Sequence, residues 1–209
     1  MYYFLICLAK ILIFLLTRYT LLGKENIPGQ GPLLVVANHL SVADPVLIGA
    51  SAGRKIIFMA KEELFQNFFV TYIVRHFGAF PVYRGSTNLA ALREARSVLR
   101  SGKLLGMFPE GRRSTSAVLK QAYAGSAFIA RQNNVRILPV AVSGSEKVRG
   151  FGWMWARPRI TLKIGQPFSL PLTVDKPGRE QLTEDTRLIM QRISELLPES
   201  YRGEYASDN

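Results

Sequence analysis

The chain has 209 residues, 48% of them hydrophobic, which gives one domain a full core plus a terminal appendage and excludes a disordered polypeptide. Its 27 basic and 15 acidic residues leave a net charge of +12; eight of the acids lie at or after Asp175, so residues 1–174 carry 22 basic groups against 7 acidic ones. So basic a body calls for an anionic partner: a phosphate-bearing small molecule, an anionic lipid or a nucleic acid.

Residues 1–22 form an apolar run without the basic start or small-residue cleavage site of a signal peptide. As one helix the run is about 33 Å long at ~1.5 Å per residue, nominally a membrane span. Lys10, near its middle, costs roughly 2.5–3.5 kcal/mol at a bilayer centre. Tyr3, Lys10 and Thr17 recur as a narrow polar stripe, which favours a helix lying in the bilayer interface, lysine outward, over a span or a buried core helix. The expected organisation is a membrane-associating helix over 1–22 and one domain over 23–209, with the Gly-, Pro- and Asn-rich residues 23–32 as linker.

Residues 33–37, Leu-Leu-Val-Val-Ala, read as a buried strand that releases Asn38-His39 at its end. Asp44-Pro45 marks a helix start, with aspartate at the N-cap and proline at the first helical position. A strand over 54–60 and a helix over 61–77 follow, the helix with a wide apolar face from Leu64, Phe68, Phe69, Tyr72 and Ile73. Next come a strand over 79–83 ending at Arg84-Gly85, and an amphipathic helix over 88–100 stopped by Ser101-Gly102. A strand over 104–108 runs into Pro109-Glu110-Gly111-Arg112-Arg113-Ser114. A helix over 121–133, strands over 135–142 and 159–164, and a helix over 182–197 complete the chain, residues 175–209 reading as solvated helix and frayed tail. Strands alternating with helices imply an α/β fold: a central mixed, largely parallel sheet flanked by helices. Trp153 and Trp155, between the last two strands among arginines, have two readings: headgroup-level aromatics, or a loop packed on the core. His76, ending a helix, reads as a dipole partner.

The chemistry gathers at strand ends, where open α/β sheets place ligands. His39 and Asp44 are too far apart to share a helix face, but a strand-to-helix turn folds the carboxylate back onto the imidazole. A carboxylate on one ring nitrogen fixes the tautomer and leaves the other as a base. No serine elbow accompanies the pair, and the base most simply deprotonates a substrate hydroxyl. The bland reading is a histidine ending a strand and an aspartate capping a helix. The single cysteine, Cys7, and two histidines exclude a disulfide and a Cys- or His-rich metal site; neither metal nor cofactor is expected. Arg84, Arg112 and Arg113 offer guanidinium forks suited to phosphate, and Gly111 lets backbone approach a ligand. Glu110 either positions these arginines or accepts a hydrogen bond from a substrate hydroxyl. Together they describe a site for a phosphate-bearing alcohol.

Asn38-His39-Leu40-Ser41-Val42-Ala43-Asp44 resembles the first motif of the glycerolipid acyltransferases, the 1-acylglycerol-3-phosphate acyltransferase type. Residues 78–84 resemble their second block, residues 108–114 the third, and Leu138-Pro139-Val140-Ala141-Val142 the fourth, in family order over roughly 22–170. The resemblance implies a catalytic domain in which His39 is the general base, oriented by Asp44. It assigns Phe80, Arg84, Glu110 and Gly111 to the acceptor, with Arg113 and Ser114 at matching third-block positions. Arg112 stands where threonine is common, and Pro81 and Tyr83 replace the usual Ile and Asp, so acceptor identity is less fixed than reaction class. The implied reaction is acyl transfer from acyl-CoA or acyl carrier protein to the 2-hydroxyl of lysophosphatidate, with backbone amides near Gly111 as a candidate oxyanion hole. Another lysophospholipid or a lyso-ornithine lipid is the alternative acceptor, and a non-catalytic basic protein binding membrane or nucleic acid is the remaining one. The enzyme reading needs no nucleic acid and expects association with the cytoplasmic face of a bacterial inner membrane.

Overall fold

The computed structural model describes residues 2–76, 78–82, 89–150, 152–171 and 178–206. Its elements are α1 (Tyr2–Leu16), β1 (Arg18–Leu22), β2 (Leu33–Ala37), α2 (Asp44–Ala52), β3 (Ile56–Lys61), α3 (Phe68–His76), β4 (Ala79–Val82), α4 (Leu89–Arg100), β5 (Leu104–Met107), α5 (Gly125–Asn133), β6 (Ile137–Ser143), α6 (Trp153–Ala156), β7 (Arg159–Ile164) and α7 (Arg179–Ser194). The strands form one sheet in the order β1-β7-β6-β2-β5-β3-β4, parallel at every pairing except β6 with β7. This is the mixed, largely parallel sheet expected from the alternation of strands and helices.

The central strand shows why a continuous apolar run folds this way. All five residues of β2 are buried, because helices cover both faces. Leu33, Val35 and Ala37 pack with Leu47 and Ile48 of α2; Leu34 and Val36 pack with α4, α5 and α7 through Val98, Ile129 and Met190. Fully burying such a side chain stabilises the fold by about 1.5–3 kcal/mol. The carboxyl ends of β2, β5 and β6 consequently emerge side by side.

Several boundaries differ from the sequence reading. The first helix stops at Leu16, and Arg18–Leu22 becomes an edge strand in parallel register with β7, Arg18 beside Arg159. Thr17 does not extend a polar stripe: it is buried and donates its hydroxyl to the Ile13 carbonyl at 2.6 Å. α1 packs through Ile6 and Ala9 on the α2 side and leaves Phe4, Leu8, Ile11, Leu12, Phe14 and Leu15 exposed, with Lys10 among them. Among the described residues no helix is long and apolar enough to cross a membrane. The expected helix over 61–77 divides into a 3-10 turn, Glu62–Phe65, and α3, whose last residue, His76, places Nδ1 2.6 Å from the Tyr72 carbonyl. The helix expected from residue 121 begins at Gly125, since the Tyr123 amide is drawn to the Pro109 carbonyl. The linker is fixed, not loose: Arg54 donates to the carbonyls of Pro28 and Gly31. Nor is the C-terminal region only solvated: α7 buries Ile189, Met190 and Ile193 in the core and binds Arg131 through Asp185.

Candidate active site

His39 leaves β2 where the strand's pairing ends, and the chain turns sharply because Asp44 collects the turn's donors. Asp44 Oδ2 accepts from His39 Nδ1 at 2.9 Å and from the backbone amides of Leu40 and Ser41 at 2.6 and 2.7 Å. Its Oδ1 accepts from the Ser145 hydroxyl at 2.6 Å. The carboxylate is 0% exposed, and these donors replace the water it has lost. Asp44 is therefore not the N-cap: Ala43 holds that position and Asp44 is the first residue of α2, with Pro45 following. Its carboxylate turns back toward the loop. Asn38 locks the same turn to β6 by a two-way bond, Nδ2 to the Val142 carbonyl and Oδ1 from the Val142 amide, both at 2.8 Å.

The imidazole is held by its face as well as by Nδ1. Its ring stacks on Phe108 at 4.0 Å between centroids and 16° between planes, and Phe108 in turn stacks on Phe58. Gly106 makes this pile possible, because a Cβ there would lie 2.4 Å from the Phe58 ring. With Nδ1 facing Asp44 and the ring face on Phe108, Nε2 is the ring nitrogen that Asp44 does not hold, on a side chain 18% exposed.

The loop after β5 grips His39 by its backbone. Glu110 Oε1 accepts the His39 amide at 3.0 Å, and the Ser114 amide donates to the His39 carbonyl at 2.7 Å. Glu110 Oε2 accepts the Lys120 amide at 3.1 Å, and Ser114 Oγ donates to the Val118 carbonyl. Both residues are 1% exposed, so Glu110 neither positions the arginines nor meets a substrate hydroxyl: it holds the backbone of His39. Burial pushes its carboxyl up to about 7, against the opposing effect of the two amides. Between these clamps Gly111, at φ +63°, turns the chain tightly enough that Arg112 and Arg113 project as exposed cations beside the His39 loop. The Gly111 amide donates to the Phe108 carbonyl at 2.9 Å, which removes it as an oxyanion donor.

Of the residues singled out from sequence, the structure gathers His39, Asp44, Glu110, Gly111, Arg112, Arg113 and Ser114. Phe80 is not with them: it packs on the opposite face of the sheet, against the core under α4, whereas Phe58 and Phe108 lie on the α2 face. Arg84 lies outside the described residues. Sequence reasoning missed Ser145, Phe108 and Phe58. The signal for Ser145 was Gly144 at a strand end: it sits at φ +85°, with Arg159 O only 2.0 Å from where a Cβ would be, so the turn that aims Ser145 at Asp44 admits only glycine. Among the described residues no cluster of His, Cys, Asp and Glu could hold a metal ion.

An acyltransferase family model matches residues 18–143, more than half of the chain. The chain belongs to the acyltransferase family. A 1-acyl-sn-glycerol-3-phosphate acyltransferase of Bacillus subtilis is 28% identical over 198 residues, 94% of this chain and 96% of that protein. One of Streptococcus pneumoniae is 32% identical over 178 residues, 83% of this chain and 65% of that protein. The crystal structure of the 1-acyl-sn-glycerophosphate acyltransferase PlsC of Thermotoga maritima superposes with a TM-score of 0.68 at 28% identity, over 90% of this chain and 74% of that one. The shared acyltransferase fold extends from β1 to β6 in the matched region, so it includes the strand that the sequence reading had assigned to the first helix.

Proposed function

We propose that this acyltransferase moves a fatty acyl group from an acyl thioester to the 2-hydroxyl of 1-acylglycerol-3-phosphate, giving phosphatidate for phospholipid synthesis. The observation that carries the proposal is His39 held by Nδ1 on the buried Asp44 carboxylate, with Nε2 turned away from it. Nε2 takes the proton of the acceptor hydroxyl as its oxygen attacks the thioester carbonyl carbon. Collapse of the tetrahedral intermediate breaks the C–S bond, and the departing thiolate takes the proton from the His39 imidazolium, restoring the neutral base. Asp44 keeps the ring in one tautomer and stabilises the imidazolium between these steps. Transfer is direct. Cys7 lies exposed on α1, and the Ser41 hydroxyl accepts the Ala43 amide within the turn, so neither is placed as an acyl carrier.

In this reading Arg112 and Arg113 bind the acceptor phosphate; their exposure supports it, since a free guanidinium pairs with phosphate oxygens in bidentate fashion. The exposed apolar side of α1 supports seating in one leaflet of the membrane from which a lysolipid is drawn; at 15 residues the helix suits lying in the interface. Residues 18–206 form the catalytic body behind it. The cytoplasmic face of a bacterial inner membrane, where acyl thioesters are available, is the proposed location.

Purified protein in detergent micelles, given labelled acyl-CoA or acyl carrier protein thioester with lysophosphatidate, tests the reaction. Labelled phosphatidate is the expected product. Acylation of another lysophospholipid or a lyso-ornithine lipid at a higher kcat/KM, with lysophosphatidate left unreacted, would replace the acceptor.

A further inference from the structure

Along the β1 edge the chain has a feature that acyl transfer does not use. A cavity of about 610 Å³ runs beside this edge strand, bounded by the last turns of α1, by residues 18–21 and by Ala50 and Ser51 of α2. Five cations line it, Lys10, Arg18, Lys24, Arg157 and Arg159, and no carboxylate does. All five are exposed, and none forms an ion pair among the described residues. The Arg157 guanidinium lies 3.5 Å from the Phe14 carbonyl, which ties the β7 approach to the end of α1. Like charges gathered around one opening raise each other's energy, and an anion placed among them lowers it.

The position of the cavity selects among anions. Arg18 and Arg159 are register partners at the start of β1 and β7, and the antiparallel pairing of β7 with β6 sets them at the sheet end where Ser145 reaches Asp44. β1 is three strands from β2, a separation of about 14 Å at ~4.8 Å per strand. The cavity shares α1 with an apolar surface: Phe14 is 77% exposed, and Trp155, two residues before Arg157, is 89% exposed. A soluble anion would satisfy the cations alone. An anion carried on acyl chains satisfies both surfaces.

We propose that this cavity seats the phosphate of an acidic membrane phospholipid, so that headgroup binding and insertion of α1 act as one docking surface. The inference rests on α1 lying in the bilayer and adds a headgroup site to it. A short interfacial helix binds reversibly by itself, and a second, electrostatic contact makes the association stable. Docked in this way, the sheet end that carries His39 faces the headgroup level.

Vesicle flotation of the full chain tests the site, with phosphatidylcholine vesicles with and without phosphatidylglycerol. Wild type is expected to favour the acidic vesicles, with an affinity that falls steeply as salt rises. A variant with Lys10→Gln, Arg18→Gln, Arg157→Gln and Arg159→Gln is expected to lose at least about tenfold on acidic vesicles and nothing on neutral ones. A control losing the same charge on the α4 side, Arg93→Gln, Arg96→Gln, Arg100→Gln and Lys103→Gln, is expected to lose less than about threefold. Replacing Arg18 and Arg159 by lysine keeps the charge and the binding, which separates charge loss from misfolding. Equal losses in the cavity and control variants, or a wild type indifferent to phosphatidylglycerol, overturns the site. A tenfold rise in KM for acyl-CoA in the cavity variant, measured with a monomeric short-chain acceptor, assigns the cations to the thioester's nucleotide and also overturns it. Binding to neutral vesicles reports on α1 by itself: if Phe14→Ser with Leu15→Ser leaves it unchanged, the seating of α1 fails, and that failure is distinct from failure of the headgroup site.

Discussion

At the carboxyl ends of β2, β5 and β6 the buried polar side chains are held by other parts of the chain, whereas along the α1–β1 edge cations and large apolar side chains face outward, with no acid among the described residues lining the cavity. Asp44 has a donor for each oxygen, Glu110 an amide for each oxygen, and His39 is fixed through its amide, its carbonyl, its Nδ1 and its ring face. Phe14 and Trp155, by contrast, are among the most exposed apolar residues described. The role proposed for His39 requires the first region to hold one geometry before any ligand arrives, since a base works only when its tautomer and aim are set in advance. The second region is completed by something outside the chain. Substitutions at the sheet end should therefore alter turnover in any solvent, and those at the edge only turnover on a bilayer.

The largest effect is expected at Asp44. Asp44→Asn turns an amide NH2 toward a site built from donors, or else misaligns the His39 tautomer. The expected cost is about 10³–10⁴ in kcat, and the buried donors left unpaired lower stability by about 1–3 kcal/mol. Rates in micelles together with thermal unfolding check both; wild-type kcat would remove Asp44 from the mechanism.

Gly106→Ala probes the aromatic pile from beneath. The added methyl meets the Phe58 ring, so a loss of about 1–3 kcal/mol is expected, with a fall in kcat as Phe108 and the imidazole shift. A companion Phe58→Leu change makes room for the methyl and should recover part of that rate.

Glu110 gives a pH signature that only the tightly held region can show. Its carboxyl has a native pKa of about 7 against an ordinary 4.5, so between these values the native state holds more proton than the unfolded state. Its contribution to stability is therefore favoured at low pH and falls as pH rises from 4.5 to 7, by about 2–3 kcal/mol at ~1.4 kcal/mol per pH unit. Glu110→Gln lacks this dependence. The difference in unfolding free energy between wild type and variant should shift against wild type across that window, and a difference flat in pH would remove the effect.

Ser145→Ala is the mildest change. It removes one donor from Asp44 Oδ1 and leaves His39 Nδ1 on Oδ2, so a decrease in kcat of about tenfold with KM unchanged is expected. Ser145→Thr should restore part of it.

The same contrast explains what could be read from the residues alone. The sheet end was legible: β2 is an unbroken apolar run, and His39 and Asp44 are separated by a turn that a strand exit supplies. What escaped the reading were long-range choices. Nothing local distinguishes Arg18–Leu22 from another helical turn, since its pairing with β7 is decided 141 residues away at Arg159. Glu110 looked like a ligand-facing acid among arginines, but the two amides it accepts come from His39 and Lys120, which the loop brings together only in the fold. Phe80 matched a motif position, yet strand alternation sends it to the face away from His39. Ser145 carried no motif at all and acquires its role from a buried bond to Asp44.

The most direct test of the central claim compares wild type with His39→Ala in detergent micelles, following labelled acyl from acyl-CoA or acyl carrier protein into lysophosphatidate, with both proteins shown to be folded by thermal unfolding. Phosphatidate from wild type, and a rate lower by about 10³-fold or more in the variant, is the predicted result. Phosphatidate formed at comparable rates by both would contradict His39 as the base, and with it the reason for the network built around it.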